Sequence, residues 1–161
     1  MMPRTTKPEA TPAEVQRAAV GLLARREHSA GELRKKLIAK GYPSELVSGV
    51  LEQLDARGLL SDARFAEVFA RSRSHKGFGV ARIAQELRQR GVSDTQIAPA
   101  LRDAKETWRA QIAQVRRKRF GEALPQNNAD RAKQARFLLQ RGFTSEQVRA
   151  VLRGAIDIDE E

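Results

Sequence analysis

Apolar residues return along this chain at the three- and four-residue spacing of an α-helix. Val15, Ala18, Ala19, Leu22 and Leu23 form one such stripe, Leu33, Leu37 and Ile38 a second, and Leu46, Val47, Val50, Leu51 and Leu54 a third. Start and stop signals bracket each stripe. Thr11-Pro12-Ala13-Glu14 offers a cap, a proline at the first helical position and a reciprocal acid, and Ser29-Ala30-Gly31-Glu32 has the capping-box form. Gly41 and Gly58 supply helix stops. The pattern predicts helices ending near Arg26, over about 29–40 and from about Ser44 to Arg57, with Ser44 taking over capping because Pro43 fills the cap slot. Three short helices of this kind cannot bury their apolar faces alone.

The scheme then repeats. Gly41, Gly91 and Gly142 lie 50 and 51 residues apart, each after a basic residue (Lys40, Arg90, Arg141). Leu37, Leu87 and Leu138 stand four residues before these glycines, and Val47, Ile97 and Val148 six after; Leu51, Leu101 and Leu152 fill the next matching position. In the second unit Ser61 is the expected cap of a helix burying Phe65, Val68 and Phe69, and Gly77-Phe78-Gly79 is a turn before Val80, Ile83, Ala84 and Leu87. Ser93 opens a capping box before Ile97, Ala100 and Leu101, with Pro99 near the helix start. A longer helix over roughly 104–120 carries Trp108, Ile112, Val115 and Phe120. Asn128 is the expected cap of the next, which turns Ala132, Ala135, Phe137 and Leu138 or Leu139 inward, before the Thr144-Ser145-Glu146-Gln147 box. Gln134 falls where Leu33 and Ile83 stand, and is expected to face water at an end unit.

The expectation is an all-α chain of three tandem three-helix repeats, an array suited to gripping a large partner. Its parts are an N-terminal tail over 1–12, repeats over 13–60, 61–103 and 104–156, and an acidic tail over 157–161. A monomer is expected, since the three units can cover one another's apolar faces.

Composition narrows the function. The absence of cysteine excludes a disulfide framework and cysteine-based metal sites. The two histidines, His28 and His75, are too few and too scattered for a metal or acid–base centre; His28 is expected to shape a turn and His75 to lie in a basic loop. Gly77-Phe78-Gly79 lacks the lysine and hydroxyl ending of a phosphate-binding loop. No enzyme activity, cofactor or metal is expected. No apolar stretch reaches membrane-spanning length and no signal-like segment opens the chain, so a soluble cytoplasmic protein is expected.

Charge points to a partner. The chain is formally +10, and residues 63–110 hold ten Lys and Arg against five Asp and Glu. Arg71, Arg73, His75 and Lys76 lead out of one helix, Arg82, Arg88 and Arg90 punctuate the next, and Arg116, Arg117, Lys118 and Arg119 follow in an unbroken run. Those four spread around the helix and cannot all meet one flat surface. Nucleic acid or an acidic protein would answer such a field, and a well-solvated helical surface is the alternative, favoured for any single arginine. Helices 29–40 and 44–57 have helix–turn–helix spacing, but the second presents Glu45, Glu52 and Asp55, unfavourable toward phosphates. Aromatics are too few for a base-stacking platform; Phe78, in a segment that reads first as a turn, is the more plausible exposed aromatic and the candidate for partner contact.

Across roughly residues 14–154 the chain closely resembles the RecX family of bacterial regulators of the RecA recombinase. The resemblance runs through Arg25-Arg26-Glu27-His28-Ser29, Glu32-Leu33, Lys36-Leu37 and Lys40-Gly41. It is most specific at Gly58-Leu59-Leu60-Ser61-Asp62-Ala63-Arg64-Phe65, then Arg71, Lys76-Gly77, Gly79, Arg82-Ile83, Glu86-Leu87 and Gly91. Lys118, Gly121, Phe137-Leu138 and Arg141-Gly142 complete it. Ser61 departs from the pattern, standing where an acidic residue often precedes the Asp-Arg-Phe stretch, and the short linker at Gly41 matches compact members.

The resemblance implies an elongated, curved three-repeat protein that lies in the groove of the RecA–DNA filament and bridges its protomers. It implies inhibition of strand exchange, ATP hydrolysis and assistance of repressor cleavage, within DNA repair, recombination and the SOS response, with modest direct DNA contact. The expected surface contains Arg71, Arg73, Lys76, Arg82, Arg88, Arg116, Lys118 and Arg119, extended by Arg25, Lys36 and Lys40. Gly41, Gly91 and Gly142 are expected as structural turns. The competing expectation is an autonomous DNA-binding helical protein with no RecA partner.

Overall fold

Helix-capping chemistry sets the boundaries of the fold. In the computed structural model, which describes residues 10–153, nine helices and no strand occur among the described residues. The first three are α1 (Pro12–Arg25), α2 (Ala30–Ala39) and α3 (Ser44–Ala56); α4 (Asp62–His75), α5 (Val80–Gln89) and α6 (Asp94–Ala100) follow. The last three are α7 (Arg102–Phe120), α8 (Asn128–Gln140) and α9 (Ser145–Leu152). The two terminal tails expected over 1–12 and 157–161 fall wholly or mostly outside the described residues.

Thr11 caps α1, with Pro12 in its first turn, and Ser29 and Thr144 make reciprocal capping boxes with Glu32 and Gln147. Ser61 Oγ accepts from the Arg64 amide at 3.1 Å, as expected at the start of α4. Two caps differ by one residue. Asn127, not Asn128, caps α8 through the Asp130 amide at 2.8 Å. Pro43 occupies the cap position of α3 with no side-chain cap bond, and Ser44 is the first helical residue. The Ser44 hydroxyl instead accepts from Arg34 Nη2 at 2.6 Å.

The glycines end helices as expected: Gly41, Gly91 and Gly142 have φ of 99°, 85° and 102°. All nine apolar residues of the repeat pattern are buried, Leu37, Leu87 and Leu138 completely. Two inward assignments fail: Val68 is 45% exposed, and Ala132 is exposed too. Between the alternatives in α8, Leu138 is buried and Leu139 is not. Each helix buries a narrower arc than its apolar residues span.

The described residues belong to two compact units. One combines the chain through Val68 with Arg88–Ile97; the other combines Phe69–Leu87 with the chain from Ala98. The middle three helices are therefore shared between the units. In the first unit α1, α2 and α3 pack together around Val15, Leu33, Leu37, Val47 and Leu54. In the second, α7, α8 and α9 pack around Ile112, Leu138, Phe143, Val148 and Leu152, with Trp108 and Val115 against them and Phe120 edge-on to Phe137.

Each unit contains a joint of the same design. In the first, the start of α2 meets the Arg90–Gly91 turn: Ser29 Oγ donates to the Arg90 carbonyl at 2.7 Å, and Ala30 N–H donates to Asp62 Oδ1 at 2.8 Å. In the second, the start of α5 meets the Arg141–Gly142 turn, where Gly79 N–H donates to the Arg141 carbonyl and Ala81 N–H to the Gly142 carbonyl. A Cβ on Gly79 would lie 2.5 Å from the Gly142 carbonyl, so this approach requires glycine. The joint brings Arg141 beside the Gly77-Phe78-Gly79 turn.

Candidate partner-binding surface

The eleven cations expected on the surface separate by what they touch. Arg71, Lys76, Lys118, Arg25 and Lys40 are exposed, and none joins an ion pair among the described residues. Their charge is available to an outside partner. Arg88 is exposed and pairs with Asp94 at 2.8 Å, an arrangement that water weakens and a partner can displace. Arg119 is exposed, its guanidinium 5.4 Å from the Phe137 ring and 5.8 Å from Phe120.

Lys36 is exposed but already engaged by a neighbouring side chain. Its ammonium lies 2.9 Å from His28 Nε2, and an ammonium can only donate, so Nε2 accepts. His28 Nδ1 then carries the proton and donates to the Arg26 carbonyl at 3.1 Å. Burial, assisted by the Arg26 and Lys36 charges, holds His28 below its ordinary pKa, against the bond to the Arg26 carbonyl and the Glu32 charge. The expected turn-shaping role of His28 is met by a neutral, buried ring.

Arg116 departs from expectation. Only 4% exposed, it donates to the Ala123 and Glu122 carbonyls at 3.1 Å each and to Gln134 Oε1 at 3.4 Å. Gln134 is likewise buried, not water-facing. It occupies the slot of Leu33 and Ile83, both fully buried, so all three repeats bury this position and the third fills it with a polar pair. Burial and the Arg117 charge lower the Arg116 pKa, yet a guanidinium held by three acceptors stays protonated. The signal was available: Arg116 lies four residues after Ile112, on the inward stripe.

Arg73 and Arg82 belong to a cluster that sequence reasoning did not assemble. Arg73 makes a two-pronged pair with Glu86, Nε to Oε1 at 2.8 Å and Nη2 to Oε2 at 2.9 Å. Arg82 Nε shares Oε2 at 3.2 Å, and its Nη1 donates to the Gln140 carbonyl at 3.1 Å. Both guanidiniums, with that of Arg141, lie over Phe78, at 3.9, 4.5 and 4.4 Å from the ring centroid for Arg73, Arg82 and Arg141. Phe78 is therefore partly buried beneath three cations instead of standing free.

Arg141 donates to the Lys76 carbonyl at 3.3 Å, and its buried Nε has no hydrogen-bond partner in the fold. Burial, then the Arg82 and Arg73 charges, lower its pKa. Burial pushes the Glu86 carboxyl up, but hydrogen bonds from Arg73 and Arg82 outweigh it and hold the group below the usual carboxylate range. No cluster of three or more metal-binding side chains and no helix long and apolar enough to cross a membrane occurs among the described residues.

Fold and surface together define a strongly basic, all-α protein of tandem three-helix repeats. Residues 17–54 match the first three-helix domain of RecX, residues 61–101 the second and residues 109–152 the third. The chain belongs to the RecX family. It is 51% identical over 146 residues to "Regulatory protein RecX" of Halorhodospira halophila, spanning 91% of each chain. It is 44% identical to the protein of the same name from Pseudomonas entomophila, over 89% of this chain and 93% of that one. The crystal structure of RecX from Lactobacillus salivarius shares the fold, with a TM-score of 0.77 at 18% identity over 91% of this chain and 97% of that one.

Proposed function

We propose that this chain is a negative regulator of RecA, lying in the groove of the RecA–DNA filament and bridging neighbouring protomers. By that contact it restrains strand exchange, ATP hydrolysis and assistance of repressor cleavage. The observation that carries this reading is the match of all three three-helix domains, in order, to those of RecX.

The chemistry of the surface supports it. A filament of RecA on DNA offers repeating anionic groups, and exposed Arg71, Lys76, Lys118, Arg25 and Lys40 can answer them without first breaking an internal ion pair among the described residues. Arg88 and Arg119 can turn from weak internal contacts, while Arg73 and Arg82 must share Glu86. Arg116 acts through the fold, and Lys36 is already engaged by His28. The catalyst under control is RecA; this chain acts in the cytoplasm as a monomer, by occupying the groove.

Filament ATP hydrolysis tests the proposal. Adding the chain to assembled RecA–DNA filaments is expected to slow hydrolysis in proportion to occupancy, and an unchanged rate at saturating chain would reject it.

A further inference from the structure

Arg73, Arg82 and Arg141 crowd onto Phe78, yet Glu86 is the one carboxylate bonded to any of them among the described residues. A purely structural lock would be expected to balance its charges. This cluster leaves two in excess, in a place where partial burial weakens solvent screening. Arg141 carries the imbalance most plainly: its Nε is buried without a hydrogen-bond partner, and the neighbouring arginines repel it. The fork of Arg73 already fits a two-oxygen anion, since it grips both Glu86 oxygens within 2.9 Å.

We propose that Arg73, Arg82 and Arg141 form a phosphodiester site that Glu86 occupies in the free chain, and that a DNA phosphate competes with Glu86 for it. Glu86 is thus a built-in brake on affinity. A phosphodiester presents two non-bridging oxygens in the same fork geometry as a carboxylate. Exposed Arg71 and Lys76 flank the site in sequence, and residues 63–110 are net positive, which suits a partner of repeating charge better than an isolated carboxylate. The inference rests on the reading above in assuming a partner that contains DNA.

The full chain and a fluorescein-labelled oligothymidylate at low salt test it. Glu86→Gln keeps the side-chain shape and removes the charge. E86Q is expected to bind several-fold more tightly than the parent, and E86Q/R141Q to lose the gain. Equal or weaker binding by folded E86Q would overturn the proposal, as would a gain that survives in the double variant. Should E86Q not fold, nitrogen NMR of the parent's guanidinium Nε–H groups, assigned through R73K, R82K and R141K, decides instead. Oligothymidylate must shift the Arg73 and Arg141 signals; unmoved signals, or signals moved by polyglutamate alone, refute a phosphodiester site. Parent binding to assembled filaments is measured in parallel. Filament binding without an E86Q gain rejects the brake alone, whereas an E86Q gain without filament binding rejects the regulatory reading alone.

Discussion

The Gly79 amide donates to the Arg141 carbonyl at 2.8 Å. One repeat earlier Ser29 Oγ donates to the Arg90 carbonyl at 2.7 Å. Ser29 and Gly79 are 50 residues apart and Arg90 and Arg141 are 51 apart, so the two bonds are equivalent. The glycine spacing in the sequence is therefore a spacing of joints as well as of helix ends. A glycine turn receives the start of the middle helix from the preceding repeat. Buried backbone groups demand partners, which makes each joint specific.

Gly142→Ala should be severely destabilising. Its Cβ would lie 2.3 Å from Arg82 Cβ, and φ of 102° strains any L side chain. The expected loss is about 2–4 kcal/mol. Gly49 lies inside α3, where an added Cβ would meet nothing within 4 Å. Gly49→Ala should therefore do the opposite, gaining roughly 0.5–1 kcal/mol from helix propensity. Urea midpoints distinguish the two; similar shifts would contradict the joint.

Ser29→Ala should cost more than Thr144→Ala. Both remove a helix cap, at 3.0 Å to the Glu32 amide and 3.2 Å to the Gln147 amide. Only the first also strips the donor from the Arg90 carbonyl. Losses of about 2–3 and about 1 kcal/mol are expected from denaturant titration. Equal losses would remove Ser29 from the joint.

Arg116→Ala should destabilise the fold by about 3 kcal/mol or more, because the Glu122, Ala123 and Gln134 oxygens lose their donor. Lys118→Ala, two residues on and exposed, should stay within about 0.5 kcal/mol of the parent. Filament affinity should show the reverse order once both proteins are compared in the folded state.

Acidification should weaken the fold first through His28. Its folded pKa is lowered, so the unfolded chain takes up the proton first. Stability should fall as pH drops from neutrality through the unfolded value near 6.5 and level off below the folded value. Glu32 and Glu86, also lowered, extend the loss at more acid pH. Denaturant midpoints of His28→Gln should lose the slope just below neutrality; an unchanged slope would contradict the neutral ring.

Local rules made most of the fold legible. The caps at Ser29 and Thr144 and the helix stops at Gly41, Gly91 and Gly142 are made within one turn of chain, where sequence neighbours are also spatial neighbours. Val68 and Ala132 mislead because helical periodicity marks a stripe but not its width. Gln134 misleads because its partner, Arg116, lies on another helix. The surface was less legible for the same reason. Arg73, Arg82, Lys36 and Lys76 look alike in sequence, and Glu86, His28 and Phe78 decide which charges are engaged. Arg141 reaches Phe78 only through the Gly79–Gly142 joint, so no local pattern could have included it.

Affinity for three targets at matched salt tests the central claim most directly: bare DNA, RecA alone, and RecA assembled on DNA with nucleotide. A filament regulator predicts tightest binding to the assembled filament, weakened when Arg71, Lys76 and Arg82 are replaced by alanine in a chain that still folds. Equal or tighter binding to bare DNA, with no preference for the filament, would contradict it and favour an autonomous DNA-binding protein.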